Sequence, residues 1–271
     1  VGINYGVTVG FVCGLAGAVL GISTGLTGIP LMLACIFFGL PFGLVAGIAY
    51  GFLLNQVRGA EDLIATYAGY AFVAFGSIIW VMLKPSSEVL RFANGDGIRV
   101  QVALDGLFKD KLTYFLSLKF GKLELPIGFF LIGLAFCGVF ALFMRSTMGL
   151  KIKVVGHNPT YATAIGLNVN HNRMISVVVS TLIATVGICF YAQTFGFYEF
   201  YSNYLQLGFT CVAGVLIGGA SGLNVSMWNV IYGCFLYETI LTISTPVANK
   251  MIPSGSMPEI IRLLVTNGVI L

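Results

Sequence analysis

Charge is what this chain has least of: Lys, Arg, Asp and Glu together make up 9% of its 271 residues, where an ordinary soluble domain carries about 25%. A water-soluble fold of this length cannot clothe its surface with so few charged groups, so a soluble domain is excluded. A phosphate-cradling G-x-x-x-x-G-K-[ST] loop is also missing, because the Gly121-Lys122 pair is followed by Leu123. Any ATP that drives this protein is therefore bound elsewhere. No HExxH pair or other recognisable catalytic set supports an intramembrane enzyme. The six cysteines, at 13, 35, 137, 189, 211 and 234, lie in apolar stretches without metal-ligand spacing and read as small core hydrophobes. His157 and His171 are far in sequence from any cysteine or acid and read as solvated loop residues, so no metal or cofactor is expected on this chain. The formal charge of +4 points to no nucleic-acid partner.

What the chain has instead is apolar length. Hydrophobic residues make up 58%, with 35 glycines and 22 phenylalanines, and mean hydropathy is +0.95. This is the usage of membrane helices. The composition predicts an all-α, polytopic transmembrane helix bundle forming a single membrane domain over 1–271. A spanning helix needs about 20 mostly apolar residues, and seven stretches qualify: Ile3 to Leu20, Ile29 to Leu54, Leu63 to Leu83, Pro126 to Met144, Met174 to Thr194, Val225 to Ser244, and Pro258 to the end. An eighth, Leu207 to Ser221, is short and glycine-rich and reads as a re-entrant or broken helix. The chain opens at Val1 and stops at Leu271 inside an apolar run, which predicts further helices lost at its ends.

Two hydrophilic segments interrupt this pattern. Residues 145–173 hold Arg145, Lys151, Lys153 and Arg173 and no acid, whereas residues 84–125 hold seven Lys/Arg and five Asp/Glu, which nearly cancel. One span, Pro126 to Met144, separates them, so they face opposite sides. The basic segment is short enough to obey the positive-inside rule and is placed in the cytoplasm, which makes 84–125 an outward-facing polar insertion. Glycines at 39, 43, 47 and 51 lie on one face of their helix and predict close packing against another backbone. Pro41 predicts a kink there, and Tyr198, Tyr201 and Tyr204 suggest rings at headgroup level on the outer side.

Inside the basic loop a short helix has both ends written in. Asn158 suits the N-cap, Pro159 the first helical position and Gly166 the left-handed stop. A helix of two turns is not stable alone. The capping signals by themselves fit a docking element or a plain interfacial connector equally.

The run Arg145-Ser146-Thr147-Met148-Gly149-Leu150, then Val155-Gly156-His157-Asn158-Pro159, then Ala162 and Gly166-Leu167-Asn168-Val169, resembles the coupling-loop signature of bacterial ABC importer permeases. The subgroup is that of the ribose and galactose (monosaccharide) permeases, related to branched-chain amino-acid and nucleoside permeases. Thr163 stands where an arginine is common. Gly2 to Gly10 and Val212 to Ser221 resemble two further patches of the same family, with Asn4 in an acid's place.

The resemblance implies that Gly156, Asn158, Pro159, Ala162, Gly166 and Asn168 shape a coupling helix that docks on a cytoplasmic ABC ATPase subunit, which holds ATP and Mg. It further implies a second permease copy in a homo- or heterodimer, an extracytoplasmic solute-binding protein, and a multi-pass location in the bacterial inner membrane. The implied cargo is a monosaccharide such as ribose or galactose, with nucleosides, branched-chain amino acids or a sugar-like signal as alternatives. Asn4, Gln56, Gln193, Asn224, Asn229 and Glu238 are the polar groups within apolar stretches that a translocation path could use, or that could bridge helices. Arg262 lies near enough to a helix end to snorkel. The rival from another class is an ion-coupled secondary transporter with Glu238 as its coupling carboxylate.

Overall fold

Helices form where the sequence runs apolar for the width of a bilayer. The computed structural model describes residues 6–57, 59–92, 95–109, 111–112, 116–120, 123–220 and 225–251. Four of its helices are long and apolar enough to span: α2 (Ile29–Gln56), α3 (Glu61–Met82), α4 (Ile127–Arg145) and α7 (Val169–Phe195). Ahead of them, α1 (Val7–Ser23) has 17 residues, about 25 Å of helix. Between α4 and α7 lie α5 (Thr147–His157) and α6 (Pro159–Ala164), and after α7 come α8 (Asn203–Ile217) and α9 (Met227–Met251). The predicted span from Pro258, together with Asn4, Asn224 and Arg262, lies outside the described residues. The described residues fall into two compact units, Gly6–Leu205 and one starting at Gln206.

In the first unit α1, α2 and α7 pack against one another, and glycine sets how closely. Lipid tails are as apolar as leucine, so membrane helices associate through van der Waals fit and hydrogen bonds rather than through burial from water. The predicted glycine face of α2 does this: a Cβ on Gly43 would fall 2.6 Å from Thr185 Oγ1, and one on Gly47 3.2 Å from Val178 Cα. A second stripe, on α1, meets the same neighbours, since a Cβ on Gly14 would lie 2.6 Å from the Thr185 carbonyl oxygen. Thr185 itself donates to the Gly10 oxygen at 3.1 Å. The outside of the unit is apolar, with Phe37 70%, Phe75 59% and Val139 66% exposed. A bilayer solvates such a surface and water does not.

One end of this unit carries a folded cap. Within 84–125, strand β1 (Gln101–Ala103) pairs antiparallel with β4 (Phe197–Glu199), and β2 (Ser117–Phe120) with β3 (Leu123–Pro126). The segment read from its charges as a polar insertion has a core of its own: Leu90, Ile98, Val102, Leu104 and Phe108 are buried. It is fastened to the helix ends by backbone bonds, from Gly28 N to Leu107 O at 2.7 Å, Ile98 N to Trp80 O at 2.9 Å and Leu104 N to Gly196 O at 2.9 Å. Tyr198 and Tyr204 are buried, which corrects the expectation of an exposed aromatic belt. Tyr198 meets Phe108 edge-on at 6.0 Å, because pairing of β4 with β1 turns its ring into the cap. Tyr201 holds φ 78°, rare for a bulky residue, and donates its hydroxyl to Ile98 O at 2.8 Å.

In the second unit α8 ends at Ile217 and is followed by Gly219 at φ 81°. Its 15 residues come to about 22 Å, short of the hydrocarbon core. Gly214, Gly218 and Gly233 bring α8 and α9 into backbone contact, with a Cβ on Gly233 running into Gly214 O.

Candidate functional site

The basic loop is a chain of three caps. Ser146 closes α4 and opens α5: its Oγ donates to Phe143 O at 2.6 Å and accepts from Gly149 N at 3.3 Å. The corner between α4 and α5 leaves no room for a side chain at 149, since a Cβ there would lie 2.5 Å from Met144 Cα. Helix α5 runs to His157, and the sequence reading had not separated it from the rest of the loop. Its last turn hands over to Asn158, whose N–H donates to Val154 O at 3.0 Å while its Oδ1 accepts from Tyr161 N at 2.9 Å.

Pro159 then starts α6 as predicted, and Gly166 stops it at φ 81°. The Leu167 N–H reaches Ala162 O at 2.9 Å and the Gly166 N–H reaches Thr163 O at 3.0 Å, the paired bonds of a Schellman stop. Asn168 opens α7 by accepting from His171 N at 3.0 Å. Several of the orphan groups at these helix ends thus find partners, which helps so short a helix keep its shape.

Ala162 is fully buried and anchors α6, while Tyr161 and Ile165 are 57% and 51% exposed. These two, four residues apart, share one outward face. Pro159, Thr160, Thr163 and Ala164 are exposed beside them, and Lys151 and Lys153 are exposed on α5. Gly156 has open space around its Cα, so packing within the chain does not require glycine there. The face combines apolar anchors with a cationic surround and contains no acid, a surface suited to a groove of opposite charge on another protein.

The loop is tied to the helix ends beside it. Arg173 Nη2 donates to Glu61 Oε1 at 2.8 Å, Glu61 Oε2 accepts from Gly59 N at 2.9 Å, and Asn55 Nδ2 donates to Asn170 O at 2.9 Å. These links join the turn between α2 and α3 to the first turn of α7. Sequence reasoning missed the pair, because residues 112 positions apart leave no local signal. The cap described above sits at the far end of α7.

Of the polar residues proposed for a path, Gln56 and Gln193 lie far apart within the first unit. Gln56 is exposed at the end of α2 near the loop, whereas Gln193 is buried in the last turns of α7, about 35 Å further along at 1.5 Å per residue. Asn229 and Glu238 belong to the second unit. Asn229 is engaged locally, with Nδ2 donating to Gly218 O at 2.9 Å and Oδ1 accepting from Ser226 N at 3.3 Å. Glu238 is exposed on α9. A cavity of about 430 Å³ among α1, α2 and α3 is lined by side chains such as Val12, Val45, Phe72, Phe75, Ile79 and Trp80, which offer a hydroxyl-rich solute almost nothing to bond.

One further pattern resolves on its geometry. Gly21-Ile22-Ser23-Thr24-Gly25 fits G-x-S-x-G by letter, but Ser23 closes a helix and donates to Val19 O at 2.7 Å. A nucleophile elbow needs a strand-to-helix turn.

Comparison with known proteins places this geometry in context. A family profile described as branched-chain amino acid transport system / permease component matches residues 2–270. The nucleoside ABC transporter permease protein NupB of Lactococcus lactis is 25% identical over 239 residues, covering 87% of this chain and 60% of its own length. The nucleoside ABC transporter permease protein NupC of the same organism is 29% identical over 136 residues, 50% of this chain and 42% of its own. The guanosine ABC transporter permease protein NupQ of Bacillus subtilis is 36% identical over 87 residues, 32% of this chain and 27% of its own. The chain thus spans about three fifths of the first relative's length, and less of the other two. No solved structure matches it significantly.

Proposed function

Because the chain belongs to the permease-component family of branched-chain amino acid transport systems and is a multi-pass membrane protein, we propose that it is the membrane subunit of an ATP-driven nucleoside importer. The capped α6 with its exposed Tyr161 and Ile165 is the observation that carries the ATPase half of this reading. Docking of an ATPase subunit there, with ATP and Mg held on that subunit, would switch the helices between outward- and inward-open states. In this reading the loop faces the cytoplasm and the 84–125 cap faces outward toward a solute-binding protein, and two permease chains share the path. The relatives' printed names favour a nucleoside over the monosaccharide suggested by the loop's likeness. Family membership weighs against the ion-coupled rival built on Glu238.

The test is affinity purification of the full-length protein from native membranes, with and without residues 156–166 replaced by a flexible linker, joined to uptake of radiolabelled uridine, adenosine and guanosine by cells. An ATPase subunit that co-purifies only with the intact loop, and uptake competed by unlabelled nucleosides but not by ribose or galactose, supports the proposal. Absence of any ATPase under gentle extraction overturns the importer reading. Competition by ribose or galactose alone returns the monosaccharide.

A further inference from the structure

Helix α6 can pull only on what it is attached to, and its attachments are specific. Through Gly166, Leu167 and the Asn168 cap, α6 continues within a few residues into α7. Helix α7 packs on α1 and α2, whereas α3 lies chiefly against α1. A displacement of the loop therefore has a packed route into α1 and α2 but reaches α3 only at second hand through them, unless a direct link joins α7 to α3.

The Arg173 to Glu61 ion pair is placed to be that link. Arg173 lies one turn into α7 and Glu61 is the first residue of α3. Their side chains are 11% and 28% exposed, so the pair is partly buried and less screened than a fully exposed one. Both carboxylate oxygens are engaged, one by Arg173 and the other by the Gly59 N–H. Gly59 takes φ 87°, a conformation that suits glycine and that lets the turn fold back onto Glu61. The guanidinium thus grips the carboxylate, and the carboxylate grips the turn leading out of α2. Among the described residues, the exposed pairs Lys84 with Asp96 and Lys109 with Asp105 are at least 39% exposed on every side chain and sit in the cap, away from the loop.

We propose that Glu61 and Arg173 are positioning residues of the transport cycle, coupling movement of the α5–α6 loop to α3. This rests on the importer reading above, and the pair touches neither solute nor nucleotide. Neutralising either residue would leave α6 and its exposed face intact, so the ATPase would still bind and hydrolyse ATP, but its work would reach α3 poorly. A coupling term of ordinary size then lowers the solute moved per ATP about tenfold.

The experiment uses the full permease complex with its ATPase, reconstituted in proteoliposomes with its solute-binding protein and supplied with tritiated uridine, adenosine and guanosine together. Uptake and ATP hydrolysis are measured on the same vesicles for wild type, Glu61→Gln, Arg173→Gln, the double variant and Arg173→Lys. The expected result is undiminished ATPase binding with a reduced uptake-to-hydrolysis ratio in both single variants. The double variant should be no worse than the poorer single, because two residues acting through one contact do not lose it twice. Arg173→Lys, which keeps the cation, should recover part of the ratio. An unchanged ratio in the single variants, or losses that multiply in the double variant, overturns the proposal. If the variants fail to assemble with the ATPase while Arg173→Lys also fails, the pair is structural and the coupling role is wrong. Failure of the wild type itself to couple nucleoside uptake to hydrolysis would strike the importer reading, and this role with it.

Discussion

Thr185 donates its hydroxyl to both Gly10 O and Thr181 O, at 3.1 and 2.9 Å, and the same oxygen faces Gly43 on α2. One side chain thus fixes the spacing of α1, α2 and α7, and it does so because Gly10, Gly14 and Gly43 carry no Cβ. Replacing Gly43 by Val puts carbon where Thr185 Oγ1 now sits, and overpacking of this kind costs about 1–3 kcal/mol. The expected outcome is a lower midpoint of thermal unfolding in detergent. A larger loss should follow at Gly14, where a Cβ would run into Ile188 Cγ2 and lie 2.6 Å from the Thr185 carbonyl oxygen, than at Gly51, where its nearest neighbour is Met174 Cγ at 3.2 Å. Equal stability of Gly43→Val and wild type would rule out a tight three-helix contact at Thr185.

At the scale of elements, α6 is six residues long, below the length at which a helix holds itself in water. Its persistence depends on Asn158 at one end, Gly166 at the other and Ala162 beneath. Asn158→Ala removes the acceptor for Tyr161 N and should cost about 1 kcal/mol locally. Hydrogen exchange of the amides over 160–164 should quicken several-fold while the amides of α1 and α7 stay as protected as before. If ATPase association also weakens in that variant, the docking face needs the helical shape; if exchange quickens without loss of association, the groove accepts the segment unfolded. The cap behaves differently, since β1 and β4 are three residues each and owe their order to the buried Phe108, Tyr198 and Phe200 between them and the helix ends.

For the molecule as a whole, the two ends of the first unit should lie in different compartments. In a cysteine-free background, Ser86→Cys in the cap and Thr163→Cys on α6 place single thiols at exposed positions. A membrane-impermeant maleimide added to intact cells should label position 86 at once and position 163 only after permeabilisation. The reverse pattern would invert the orientation, leaving α6 unable to meet a cytoplasmic ATPase. The charge distribution carries this expectation: no acid occurs between Glu124 and Glu199, so the loop supplies no acid of its own to offset Arg145, Lys151 and Lys153 where the positive-inside rule acts.

Local chemistry was sufficient for a good deal of this protein. Apolar length marks α2, α3, α4 and α7, the four-residue glycine period marks the packing face of α2, and Asn158, Pro159 and Gly166 mark the ends of α6. All of these depend on interactions within one or two helical turns or on transfer between water and lipid, which composition records directly. The interior of the cap was not legible, because Tyr198 is brought to Phe108 by the distant pairing of β4 with β1, in which Gln101 and Glu199 are 98 residues apart, and a charged, strandless-looking segment gives no sign of the core it makes with distant helix ends. Nor was the Glu61–Arg173 link, since neither residue's neighbours in sequence specify its partner. The polar residues of the apolar stretches show the limit most clearly: Gln56 and Gln193 looked alike in the sequence, but tertiary structure put one at the surface beside the loop and buried the other at the far end of α7. Sequence decided which segments leave water, and only the packing of helices decided which of their polar groups face one another.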